Sequence, residues 1–143
     1  MITLALFRQM AEDGVAGLVK DRNFFWEEMP LQKDGKPATG VWLVTRSGDS
    51  SMSPTGLNLK NTVDFYVAMA NKAQTEMVQS EILDYLLANP CFCNLSGSVG
   101  DISYDYSNVR VRPTATPQND GVTENGLIVK MASAQLTYDK TIN

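Results

Sequence analysis

Residues 57–90 change hydrophobic period in mid-course, and that switch constrains the fold more than any other feature of the chain. From 57 to 69 the apolar side chains Leu57, Leu59, Val63, Phe65, Val67 and Met69 occupy alternate positions, with Asn58, Lys60, Thr62, Asp64 and Tyr66 between them. A period of two puts the first set on one sheet face and the second on the other, so the segment predicts a half-buried strand. Asn61 interrupts the apolar set, which places the firm part of the strand at 62–69. Asn71 then offers a side-chain oxygen to the first free amides of a helix, with Gln74 at capping-box spacing. Beyond it the period becomes helical: Val78, Ile82, Tyr85 and Leu86 form one stripe, flanked by Thr75 and Leu83, while Glu76, Ser80 and Asp84 face away. Pro90 ends the helix, because the residue before a proline is driven out of helical geometry. A strand with a face to bury and a helix with a face to cover it make a two-layer core.

The flanking segments supply elements of the same kinds. Thr3 reads as the N-cap of a short helix in which Leu4, Phe7, Met10 and Ala11 repeat at helical spacing, ended by Gly14. The aromatic run 24–26 and the apolar run 41–46 read as two strands. Residues 47–56 and 113–126, rich in turn formers, predict two long loops. Residues 91–100 read as a Ser/Gly-rich connector with a short extended piece at 92–95. In 101–112, Ile102, Tyr104 and Tyr106 alternate, and Val109 and Val111 resume in the odd register, so a bulge or bend is expected at 107–108. The segment 127–138 closes the sheet with Ile128, Ala132, Ala134, Leu136 and Tyr138 on one face. The expected product over residues 1–143 is a single two-layer α+β domain. Its sheet is mainly antiparallel or mixed, with four to five strands, and is packed by two helices.

The chemistry is read as much from what the residues cannot do. The 143 residues include no histidine, which removes the commonest general base and metal ligand together. Cys91 and Cys93 stand one residue apart without partners at zinc-site spacing, so they read as two ordinary buried thiols in a reducing compartment, and no metal or cofactor is expected. Glu12–Asp13 and Glu27–Glu28 read as solvated neighbours rather than acid/base pairs. Asp64 and Asp105 each lie on a strand and could share a sheet face, which keeps open a small cytosolic enzyme built on those two carboxylates. No nucleophile or phosphate cradle accompanies them. The formal charge of −4, with scattered basic residues, argues against a nucleic-acid backbone site, and no apolar run is long enough for a membrane span. No basic segment precedes the short apolar run at the start, so no secretory signal is expected. Arg110 and Arg112 alternate on one strand face, a pattern that reads as charge protection or as a contact surface. Trp26, Trp42 and Met52 read as core or loop residues before hot spots.

The order of elements resembles the tail terminator (tail completion) proteins of long-tailed bacteriophages. Three pieces carry the likeness. One is the opening helix followed by Gly17-Leu18-Val19-Lys20-Asp21-Arg22 and an aromatic strand. The second is Thr62-Val63-Asp64-Phe65-Tyr66-Val67 running into an amphipathic helix that ends near a proline. The third is Ile102-Ser103-Tyr104-Asp105-Tyr106, a variable loop, and Ala134-Gln135-Leu136-Thr137-Tyr138. Together they span most of the chain. The resemblance implies a small α+β domain without catalytic residues that forms a homo-hexameric ring. Such a ring binds the last ring of the major tail-tube protein, stops tube polymerisation, and offers its other face to the head-side connector protein, with DNA only as passing cargo. It implies a place at the head-proximal end of the virion tail, after assembly in the host cytoplasm. A head-completion or neck-connector role shares the same outline. On this reading the contact residues are sought at Arg110, Arg112, Met52, Pro54, Pro117 and Asn119.

Overall fold

The structure, a computed structural model, describes residues 1–46 and 55–140, and the backbone alone over 115–120. Helix α1 (Ile2–Glu12) opens the chain and a short 3-10 turn (Val15–Gly17) follows. Then come β1 (Phe24–Trp26), β2 (Gly40–Thr45), β3 (Leu59–Met69), α2 (Lys72–Ala88), β4 (Cys91–Val99), β5 (Ile102–Val122) and β6 (Ile128–Lys140). The six strands form one mixed sheet in the order β1-β2-β3-β6-β5-β4, parallel between β1 and β2 and antiparallel elsewhere. No helix among the described residues is long and apolar enough to cross a membrane.

The strand-to-helix switch is present, but β3 is buried on both faces rather than half-buried, Thr62, Asp64 and Ala68 being buried on the second face, while Leu57 lies outside the strand and is exposed. On β3, Val63, Phe65 and Val67 are fully buried in the main core, and β3 lies between β2 and β6. Asn71 caps α2 by accepting the Gln74 amide at 2.9 Å. The helix buries Thr75, Gln79, Ile82 and Leu86 and half-buries Val78 and Tyr85 against the sheet. Asn61, which breaks the apolar alternation, sits directly opposite Leu136 and accepts the Tyr138 phenol at 2.5 Å, so its amide satisfies a partly buried hydroxyl.

Three further expectations need correction. The sheet has six strands, not four to five, because 91–99 is a full strand: β4 pairs with β5 in one register from Cys91↔Arg110 to Val99↔Ile102, with Cys93 alone left out of the ladder. Its polar composition hid it, since only Leu95 is buried and Phe92 half-buried. The loop expected at 113–126 is mostly strand, with β5 running to Val122 and only a short turn before β6. Between Tyr106↔Lys140 and Val122↔Ile128, β5 advances sixteen residues while β6 advances twelve, so one extra residue enters at each of the four register shifts. Each bulge bends the strand and adds twist, and Pro113, Pro117 and Gly121 are the residues that tolerate such backbone while spoiling the strand pattern. Finally, Thr3 is not the cap of α1. The helix starts at Ile2, and Thr3 is fully buried, accepting from Trp26 Nε1 at 3.0 Å and sharing a 2.7 Å hydrogen bond with Thr45.

The bend expected at 107–108 is present. The register of β5 against β6 shifts between Ser107 and Arg110, and Asn108 takes φ 49°. Before it Tyr104 and Tyr106 are buried; after it Val109 and Val111 are. The resulting curl brings the two ends of the sheet round α1, which touches β1 and β2 at one end and β4 at the other. Helix α2 packs on β3, β5 and β6. A smaller apolar cluster, Trp42, Ala68, Leu127 and Val129, occupies the opposite sheet face, where Trp42 stacks on Tyr66 at 5.2 Å between centroids.

Candidate functional site

β5 places Arg110 and Arg112 two residues apart, both exposed, across from Thr137 and Gln135 of β6. Because β4 begins at Cys91, opposite Arg110, β5 has no β4 partner from Arg112 onward. The basic pair therefore stands where a three-strand region becomes a sheet edge. Pro117 and Asn119 lie farther along the same bulged strand, in the part described by its backbone alone, where Asn119 is in register with Lys130. Prolines and bulges along an edge deny a regular hydrogen-bonding template to another strand. Met52 and Pro54 lie outside the described residues, as do positions 47–54 of the loop expected at 47–56.

Arg110 borders two shallow depressions. One, of about 260 Å³, is polar and lined by Asn58, Asn108, Arg110, Thr137, Tyr138 and Asp139. There the Asp139 carboxylate accepts the Asn58 backbone amide at 2.9 Å and Asn108 Nδ2 at 2.9 Å. Both asparagines hold left-handed backbone, φ 54° and 49°, so Asp139 clamps two turns that few residues adopt. The Asn108 amide, then the Asn58 amide, hold the Asp139 carboxyl below its ordinary range, with the nearby Arg110 charge a smaller contribution. The second depression, of about 160 Å³, is lined by Cys91, Phe92, Cys93, Asn108, Val109 and Arg110. Both cysteines are free and exposed, against the expectation of buried thiols, because β4 is the outer strand of the sheet and turns Phe92 inward between them.

The hairpin of β4 and β5 runs past the end of β6, whose last pair is Tyr106↔Lys140. Its tip carries Val99 and Ile102, paired across the hairpin and both exposed, Ile102 at 65%. Arg8 of α1 steadies this hairpin by donating Nη1 to the Ser98 carbonyl at 2.6 Å and to the Tyr104 hydroxyl at 3.3 Å. Nothing in the sequence pattern paired Arg8 with a segment about ninety residues away.

The two carboxylates weighed as a catalytic pair do not meet. Asp64 is aligned with Ser133, whereas Asp105 lies beyond Lys140 on an exposed hairpin position opposite Ser96. Eight strand steps separate those levels, or about 26 Å along the sheet. Asp64 is instead the centre of a part-buried polar cluster. Ser133 Oγ donates to its Oδ1 at 2.5 Å, and Arg46 Nη2 donates to the same oxygen at 2.7 Å and to Ser133 at 3.0 Å. The other acidic neighbours also serve the fold: Glu27 accepts the Thr45 amide at 2.8 Å, and Asp13 accepts the Tyr85 phenol at 2.6 Å. Burial, and then that bond to Asp13, push the Tyr85 hydroxyl well above its ordinary range. Among the described residues no group of three or more His, Cys, Asp or Glu side chains is placed to hold a metal ion. Compared with known proteins, the chain matches no family model and no curated sequence.

Proposed function

We propose that the protein is a structural component of a long-tailed bacteriophage virion, a tail terminator whose homo-hexameric ring caps the tail tube. The ring binds the terminal ring of the major tail-tube protein, stops its polymerisation, and presents a joining surface to the head-side connector, while DNA passes through the channel. The observation that carries this reading is the order of elements: opening helix, aromatic strand, long central strand into a capped amphipathic helix, tyrosine-rich strand, closing strand. The exposed pair Arg110 and Arg112 on the outer surface of β5 and the apolar hairpin tip at Val99 and Ile102 support it as surfaces suited to contacts between subunits or with the tube.

A closed cyclic ring presents the same heterologous contact at every joint, and six copies of the 15.7 kDa chain amount to about 94 kDa. A single subunit joining a preformed tube loses translational and rotational freedom, and the template offsets that cost through contacts a free subunit lacks. The protein is thus expected to close into a ring on the tube end. Electron microscopy of tails carrying the protein tests this reading directly. A terminal ring with sixfold symmetry is expected; a ring of any other symmetry, or protein distributed along the tube rather than at its end, overturns it.

A further inference from the structure

We propose that Cys91 and Cys93 form a two-coordinate site for a soft monovalent cation, Cu(I), on the outer face of β4. The local exposure pattern is out, in, out: both thiols face solvent while Phe92 turns toward the core between them. Side chains at i and i+2 of a strand share a face at about 6.6 Å spacing, twice the rise per residue. That is at the outer limit for an unstrained disulfide, whose Cα atoms usually lie about 5.5–6 Å apart. It suits two sulfurs leaning toward a shared ion, since a bond as long as the zinc–sulfur bond, about 2.3 Å, would set them about 4.6 Å apart when the ion is bound linearly.

The identity of the ion follows from the donor set. Among the described residues no third or fourth Cys, His, Asp or Glu joins the pair, and zinc would require a closed four-ligand shell. Soft thiolates favour Cu(I), zinc and iron–sulfur clusters, and of these Cu(I) is the one satisfied by two ligands. Binding releases both thiol protons and leaves a bis-thiolate complex with one net negative charge. Arg110 lies directly across the ladder from Cys91 and lines the same depression, which brings a positive charge to the neighbourhood of the complex. Asn108, also lining the depression, supplies a polar rim.

Anaerobic titration of the reduced full chain with Cu(I), in competition with a chromophoric Cu(I) chelator, tests the site. One ion per chain is expected. Because the second thiol is held at high effective concentration, Cys91→Ser or Cys93→Ser should each weaken binding by about 100-fold or more. Either single variant binding as tightly as the unaltered chain overturns the proposal, and so does a stoichiometry of one ion per two chains. A second measurement needs no variant: Cu(I) should protect both thiols from alkylation, read by mass spectrometry, and unchanged alkylation of either thiol overturns the site.

Discussion

Replacing Asp64 by alanine should destabilise the fold by about 2–3 kcal/mol. Asp64 is 8% exposed and its Oδ1 receives hydrogen bonds from both Ser133 and Arg46. Truncation leaves the Ser133 hydroxyl, only 1% exposed, without its acceptor, which costs about 1–3 kcal/mol. The ion pair adds little, about 0–1 kcal/mol, because the Arg46 side chain is 45% exposed and solvent screens it. Asp64→Asn keeps an oxygen for Ser133 and should cost less, about 1 kcal/mol. Urea unfolding of the single variants and of Asp64→Ala/Ser133→Ala measures both the loss and the coupling. For a chain of this size about 4 °C of melting temperature accompanies each kcal/mol, so Asp64→Ala should melt about 10 °C lower. In the Asp64→Ala background, removing the Ser133 hydroxyl should be neutral or stabilising, since it deletes a donor that has lost its acceptor. An Asp64→Ala protein within about 0.5 kcal/mol of the parent, or equal costs for Ser133→Ala in both backgrounds, would refute the reasoning.

Three further outcomes are expected. A Cβ at Gly97 would lie 2.7 Å from Tyr104 Cζ and closer still to its hydroxyl, so Gly97→Ala should displace that ring from Arg8 and Tyr106 and cost about 1–3 kcal/mol, read by thermal melting; an unchanged melting point contradicts it. Burial, with smaller contributions from Tyr138 and Tyr104, pushes the Tyr106 hydroxyl from 10.0 up to about 12. Above pH 10 the unfolded phenol ionises while the folded one keeps its proton, so stability should be intact below pH 10 and fall toward pH 12, and Tyr106→Phe should flatten that alkaline limb in pH-dependent melts. Reversing charge with Arg110→Glu and Arg112→Glu together should leave the melting temperature nearly unchanged, because both positions are exposed, yet weaken ring formation or docking, juxtaposed like charges costing several kcal/mol; full docking on tail ends would remove these residues from the interface.

The parts of the fold legible in the sequence are those where burial writes a period. The β3–α2 switch and the closing strand are read to within a few residues, and the phase change at Ser107–Asn108 marks a real register shift. What escaped has physical causes. β4 is an outer strand that buries only Leu95, so its composition imitates a connector. The far half of β5 absorbs three of the four bulges, and its prolines and glycine imitate a loop. The basic pair at Arg110 and Arg112 was legible because exposed charges on a strand alternate visibly. The roles of Asp64, Asn61 and Arg8 were not, because each is fixed by a partner about seventy to ninety residues away. From sequence alone Asp64 reads as one of two strand carboxylates, and its contact with Ser133 is what makes its loss costly. The two thiols looked buried because cysteine usually is, whereas the edge position of β4 exposes them.

Tail length in phage particles made without the protein tests the capping role most directly. Electron microscopy of lysates from a deletion strain, with and without the protein supplied from a plasmid, gives the length distribution. Without the protein, tubes should overgrow well past the normal length and lack attached heads, and complementation should restore a single length. Tails of unchanged length joined to heads in its absence would contradict the capping role.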